Sequence, residues 1–233
     1  MSEASDGPAF VAGATGLTGR AVVRHLRARG IETHAHVRPD SRDLDAWRER
    51  FEADGAIVDT TAWDEAAMRE SLARIAPTIV FALLGTTRKR MAASGGSYET
   101  IDYGLSALLR RAAEACGSDP RFVYLSSLGA SEGTRNPYLA ARVKMERELR
   151  EGSIPYTIVQ PSFITGDRDE SRLGESVGAA VANGALAVLG AFGAKTTRDR
   201  YRSITGDALG AAMVECALDP AKANAVVRTE DLR

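Results

Sequence analysis

The chain has 233 residues, 44% of them hydrophobic and 26% charged, with a formal net charge of −1. That length and apolar content suffice for one α/β domain with a sizeable core, and the near-neutral balance gives no electrostatic basis for a nucleic-acid or membrane-surface partner. The apolar run around Gly184 to Gly193 is too short to span a bilayer, and Met1–Pro8 is acidic and polar rather than signal-like.

Strand-like and helical patterns alternate along the chain, the signature of a doubly wound parallel sheet, the Rossmann type of α/β fold. Ala9–Gly13 predicts a first strand, Leu17–Arg29 a helix, Glu32–Val37 a second strand and Leu44–Glu52 a short helix. Ala56–Asp59 and Trp63–Arg74 follow as strand and helix, then Thr78–Leu84 as a purely apolar, central strand. Thr87–Gly96 reads as a polar loop, Tyr98–Cys116 as one long amphipathic helix, Arg121–Ser126 as a strand, Tyr138–Arg150 as a helix and Tyr156–Gln160 as a strand. Beyond Pro161 the pattern loosens: a charged loop at Asp167–Glu175, a small-residue helix at Ser176–Leu189, a helix at Asp207–Leu218 with Asp207 near its N-cap, and a last strand at Ala225–Arg228. We therefore expect a single domain over 1–233, with 162–233 adding a small region on the substrate side. Cys116 and Cys216 both lie in apolar helical patterns and read as free buried thiols, which fits a reducing, cytoplasmic setting.

The sequence Gly13-Ala14-Thr15-Gly16-Leu17-Thr18-Gly19 joins the first strand to the first helix. Glycines there let the backbone approach a phosphate, and the free amides and dipole of the helix start attract its charge. The arrangement reads as a dinucleotide site, although tight turns also need glycine for structural reasons alone. Arg38 follows the second strand, where an acidic residue would bond a free ribose 2′-hydroxyl and an arginine can pair with a 2′-phosphate. This favours NADP(H) over NAD(H), with Ser41 and Arg42 as further contacts. Asp40 argues the other way, and a solvated arginine ending a strand is the plain alternative. Asp59 either accepts from an adenine amino group, or starts the following loop or caps the next helix. Leu84, Gly85 and Thr86 end the fourth strand, where glycine would let the backbone approach the cofactor's ribose.

Ser126 and Ser127 end the fifth strand, and Tyr138 opens the next helix. A phenol near a cation can give a proton to a carbonyl oxygen as hydride reaches its carbon, and a serine can orient that oxygen. Packing against the sheet is the alternative for Tyr138, and a polar strand end for the serines. The residue one turn after Tyr138 is Arg142, which supplies charge but does not carry protons. His25, His34 and His36 fall on the first helix and second strand and read as solvated or packing residues far from the strand ends. No Cys/His set has metal-ligand spacing. The basic cluster Lys195, Arg198, Arg200 and Arg202 reads as a solvated face, with reception of an acidic substrate as the alternative.

At these residues the chain resembles the atypical branch of the short-chain dehydrogenase/reductase superfamily, and specifically Tat-interacting-protein-type oxidoreductases and their bacterial relatives. Besides the glycine turn, the likeness rests on Leu84-Gly85-Thr86-Thr87-Arg88, Leu125-Ser126-Ser127-Leu128-Gly129-Ala130, Tyr138-Leu139, and Pro161 followed by Asp167-Arg168-Asp169-Glu170-Ser171-Arg172. It implies a Rossmann fold binding NADPH, with Thr15, Gly16, Leu17 and Thr18 along the pyrophosphate and Arg38 at the 2′-phosphate. Pro161, Ser162 and Phe163 would line the nicotinamide, with Ser127 and Tyr138 as the catalytic serine and tyrosine. The superfamily's lysine falls on Arg142, a departure that bears on turnover more than on cofactor binding. Two functions follow: an NADP(H)-dependent oxidoreductase acting on a small carbonyl substrate, or an NADPH-binding regulator or scaffold with little turnover. A sugar-nucleotide epimerase is disfavoured by the short stretch after Pro161. The chain is expected as a monomer or homodimer.

Overall fold

A computed structural model describes residues 7–86, 95–165 and 203–232. The first strand, β1 (Ala9–Ala12), lies between β2 (Thr33–His36) and β4 (Ile79–Ala82), and β3 (Ile57–Asp59) flanks β2. Beyond β4 come β5 (Arg121–Leu125), β6 (Tyr156–Gln160) and, out of chain order, β9 (Ala225–Arg228). All neighbours are parallel, so the order 3-2-1-4-5-6-9 is a doubly wound Rossmann sheet whose strand ends share one edge. The chain leaves β1 in one direction and returns at β4 to build in the other. The crevice between them is where such sheets bind ligands.

Period-two alternation splits the core between the two faces of the sheet. Val11, Phe81, Val123 and Val159 pack under α1 (Leu17–Ala28) and α6 (Gly206–Leu218). Phe10, Val80, Phe122 and Ile158 pack under α3 (Glu65–Ile75), α4 (Leu105–Glu114) and α5 (Pro137–Glu151). The short α2 (Leu44–Ala53) buries Phe51 against the first face. Helices α1 and α6 approach closely, since a Cβ on Gly210 would stand 2.5 Å from that of Ala21.

Several boundaries differ from expectation. The helix expected over Tyr98–Cys116 starts as a π-helical turn, Tyr98–Gly104, and regular α-helix follows only from Leu105. Ser97 caps that turn by accepting from the Thr100 N–H. The start of α6 is as expected, with Asp207 in its first turn next to the cap, Thr205, which accepts from the Ala208 N–H at 3.1 Å. A small parallel pair, β7 (Ile164–Thr165) with β8 (Ile204–Thr205), has no counterpart in the sequence reading. Part of the region expected on the substrate side belongs to the main body, because α6 covers α1 and β9 extends the sheet. The loop and helix expected over 167–189, most of the Thr87–Gly96 loop, and the cluster Lys195 to Arg202 lie outside the described residues.

Candidate functional site: the crevice at the strand ends

The glycine turn brings backbone to backbone. Gly13 has φ +82°, and a Cβ there would stand 2.6 Å from the Leu83 carbonyl oxygen at the end of β4. A Cβ on Gly19 would stand 2.1 Å from the Gly13 carbonyl oxygen, so only glycine lets α1 start against the turn. Gly16 is the N-cap of α1. No side chain caps the helix, and its first turn carries no acidic residue. These features fit a diphosphate: a cradle that Cβ atoms would fill, opening on amides that are left to a ligand. Thr15 and the exposed Gly16 rim it, and Thr18 is buried beneath. The Leu17 side chain turns away onto Gly206 of α6, so Leu17 faces the crevice by its backbone alone.

Arg38 stands beyond β2 with its side chain 61% exposed, 3.5 Å from Asp40. The residue that complicated the sequence reading is thus its ion partner. At Asp59 one carboxylate oxygen accepts from the Thr61 N–H at 2.9 Å and the other from the Ser71 hydroxyl at 2.8 Å. His36 requires a correction. It is the last residue of β2, at the very edge expected to lack histidine, and it is buried. Its Nε2–H donates to the Thr61 carbonyl oxygen at 2.8 Å, and its ring lies between Phe10 and Trp63. Burial lowers its pKa below 6.5, against the opposing pull of the Thr61 carbonyl and Asp59.

Arg142, one helical turn after Tyr138, lies beneath the Tyr138 ring. The guanidinium lies 5.1 Å from the Tyr138 ring centroid and 5.6 Å from that of Tyr124. Nη1 donates to the Leu125 carbonyl oxygen at 2.8 Å and the Tyr124 hydroxyl at 3.2 Å. Nη2 donates to the Leu84 carbonyl oxygen at 3.0 Å and to Asp102 at 2.6 Å. All four terminal N–H groups are therefore spent on protein acceptors, while Nε–H is buried without a partner. This cation cannot replace a lysine that reaches a ribose; it ties β4, β5, α5 and the π-helical turn together. Burial alone would lower its pKa, but Tyr124, Tyr138 and Asp102 more than offset that and raise it. Burial raises the Asp102 carboxyl, with Arg142 and the Thr86 N–H pulling it back, and burial pushes the Tyr124 phenol up to about 12.

Tyr138 sits in the first turn of α5, positioned by Asn136, whose side chain accepts from the Tyr138 N–H at 3.0 Å. Its ring meets that of Tyr98 edge-on at 5.4 Å. Ser127 is half-buried, its hydroxyl donating to the Leu128 carbonyl oxygen at 3.3 Å. Ser126 is buried instead, donating to Glu146, which also accepts from Gln160 at 2.9 Å and from Arg150 at 2.7 Å. This network fixes the ends of β5 and β6. Just beyond, the Pro161 carbonyl oxygen accepts from the Leu128 N–H, and the Ser162 N–H donates to Thr229. Phe163 is 55% exposed, a large apolar ring left facing outward next to those strand ends. Asp102, Glu146 and Gln160 were missed in the sequence.

A family model described as NAD(P)H-binding matches residues 13–186. The chain belongs to that family. Its fold is the doubly wound Rossmann fold of nicotinamide-dinucleotide-binding proteins. It is 32% identical over 169 residues to the mitochondrial protein FMP52 of Debaryomyces hansenii, covering 70% of each chain. It is 27% identical over 215 residues to the mitochondrial FMP52 of Eremothecium gossypii, covering 92% of this chain and 90% of the relative. In structure it is similar to a protein described as an NAD-dependent epimerase/dehydratase from Bacillus halodurans, at a TM-score of 0.68, 19% identity and 97% coverage of both chains, a likeness of fold. The names of the relatives overturn the cytoplasmic expectation, since both are called mitochondrial. Among the described residues no helix is long and apolar enough to cross a membrane, and no cluster of His, Cys, Asp and Glu could hold a metal ion.

Proposed function

We propose that the protein is an NADP(H)-dependent oxidoreductase that reduces or forms a small carbonyl compound. The observation that carries the reading is the uncapped glycine turn at α1, with a cation, Arg38, just past the end of the neighbouring strand β2. Amides of the turn would hold the diphosphate, and the Arg38 guanidinium, released from Asp40, would pair with a 2′-phosphate. Leu84, Gly85, Thr86, Pro161, Ser162 and Phe163 would line the nicotinamide half. When bound, the reduced nicotinamide supplies a hydride, two electrons, to a carbonyl or enone carbon. The Tyr138 hydroxyl gives its proton to the carbonyl oxygen and regains it from solvent, and the Ser127 hydroxyl holds that oxygen in line. Arg142 contributes charge through the Tyr138 ring face, not a hydrogen bond to substrate.

A second reading, a cofactor-binding regulator with little turnover, draws on Arg142, whose terminal N–H groups are fully engaged. The relatives' names make the mitochondrion the compartment in which to look for either role. Incubation with C4-deuterated NADPH and a panel of small aldehydes, ketones and enones separates the two. Deuterium on the product carbon, lost at least a hundredfold in Tyr138→Phe, supports the enzyme. Cofactor binding without deuterium transfer to any compound supports the regulator.

A further inference from the structure

One buried ion pair joins the two walls of the crevice. Asp102, on the π-helical turn, is 0% exposed and divides its carboxylate between Arg142 at 2.6 Å and the Thr86 N–H at 3.1 Å. Through Arg142 the same unit grips the Leu84 and Leu125 carbonyl oxygens. The backbone is thus tied on both sides of Gly85, and the end of β4 is locked to the end of β5. Gly85 itself stays exposed, and a Cβ there would stand 3.0 Å from Arg142, so the turn offers bare backbone to the crevice. The next residue carries the unexplained group: the Thr86 hydroxyl is buried and has no hydrogen-bond partner. An orphaned hydroxyl on a turn held this firmly is a group waiting for a ligand atom.

We infer that Asp102 is a positioning residue for the nicotinamide half of the cofactor, acting through Arg142 and the Leu84–Thr86 turn to present the Thr86 hydroxyl. The inference rests on the nicotinamide reading given above. The ligand groups that match are those with both donor and acceptor character, a ribose hydroxyl or the carboxamide. Hydrogen bonds tolerate only a few tenths of an ångström before they weaken, so a turn held at both ends is what such a contact requires. A pair serving stability alone would give a different result: loosening it would weaken all ligands of the crevice alike.

The test compares two ligands on the full chain: NADPH, and 2′-phospho-ADP, which keeps the adenosine half and the diphosphate but lacks both the second ribose and the nicotinamide. Asp102→Asn is expected to weaken NADPH about tenfold or more while changing 2′-phospho-ADP less than about twofold. Thr86→Val leaves the ion pair intact and covers the case in which Asp102→Asn does not fold; it is expected to show the same split. If both variants weaken the two ligands equally, or neither ligand, the positioning role is overturned while the cofactor reading stands. If the wild-type chain binds neither ligand, the cofactor reading falls and the inference with it.

Discussion

One methyl group at Gly16 probes the cradle without disturbing the fold. Gly16 has φ −73°, open to any residue, and its added Cβ would meet only the Gly13 carbonyl oxygen, at 3.2 Å. That contact needs a few tenths of an ångström of relief, and alanine is a poorer N-cap than glycine, so Gly16→Ala should cost about 1 kcal/mol. For a chain of this size the melting temperature would fall by roughly 2–4 °C. The ligand meets the same methyl at the mouth of the turn. Losing one charge-assisted hydrogen bond to the diphosphate costs about 1.5–3 kcal/mol, or roughly 10- to 150-fold in affinity. Gly19→Ala is the contrast, since its Cβ would stand 2.1 Å from one backbone atom and 2.8 Å from another. It should lose stability, by about 1–3 kcal/mol, along with binding. Thermal melts and calorimetric titration with NADPH on all three proteins give both quantities. If Gly16→Ala bound NADPH as tightly as the wild type, the cradle would not hold a diphosphate.

Three more outcomes follow from the geometry. Arg38→Ser should weaken NADPH by roughly 10- to 150-fold through the loss of a charge-assisted pair and leave NADH nearly unchanged, which parallel titrations would show; equal losses would remove Arg38 from the 2′-phosphate. Arg142→Met leaves the Asp102 carboxylate buried and unpaired, a loss of about 3–5 kcal/mol read by denaturant unfolding, and Asp102→Leu added to it should recover much of that loss; an unaltered midpoint in the single variant would contradict the buried pair. His36 makes stability pH-dependent in a defined direction. Its folded pKa lies below 6.5, so the unfolded chain binds the proton more tightly, and its contribution is full above pH 6.5 and lost as pH falls through the window beneath it. Melts at pH 7.5 and 5.5 should show a smaller acid loss in His36→Gln than in the wild type, and equal losses would sink the assignment.

The sheet was legible because strands and helices alternate with distinct apolar periods, and because Gly13, Gly16 and Gly19 mark the turn that joins the first strand to the first helix. What stayed hidden depends on contacts between distant residues. Asp102 lies in a stretch with helical periodicity, where a lone carboxylate looks solvated, and its partner Arg142 is on another helix. The clue lay in α5. Ala141, Met145 and Leu149 form its apolar row, yet Arg142 and Glu146 beside them are also buried. Charged residues abutting an apolar row mark buried pairs only when the partners are known. The π-helical turn was missed because hydrophobic spacing over seven residues does not separate a π from an α pitch. His36 was misplaced by its position in the strand: as the last residue it stands at the ligand edge, although its ring packs inward.

Calorimetric titration of the wild-type chain with NADPH and NADH under one set of conditions bears most directly on the crevice between β1 and β4. The proposed function predicts one site per chain for both coenzymes, with NADPH held more tightly by at least tenfold. No binding of either coenzyme would contradict the whole account, and NADH held as tightly as NADPH would contradict the part that rests on Arg38.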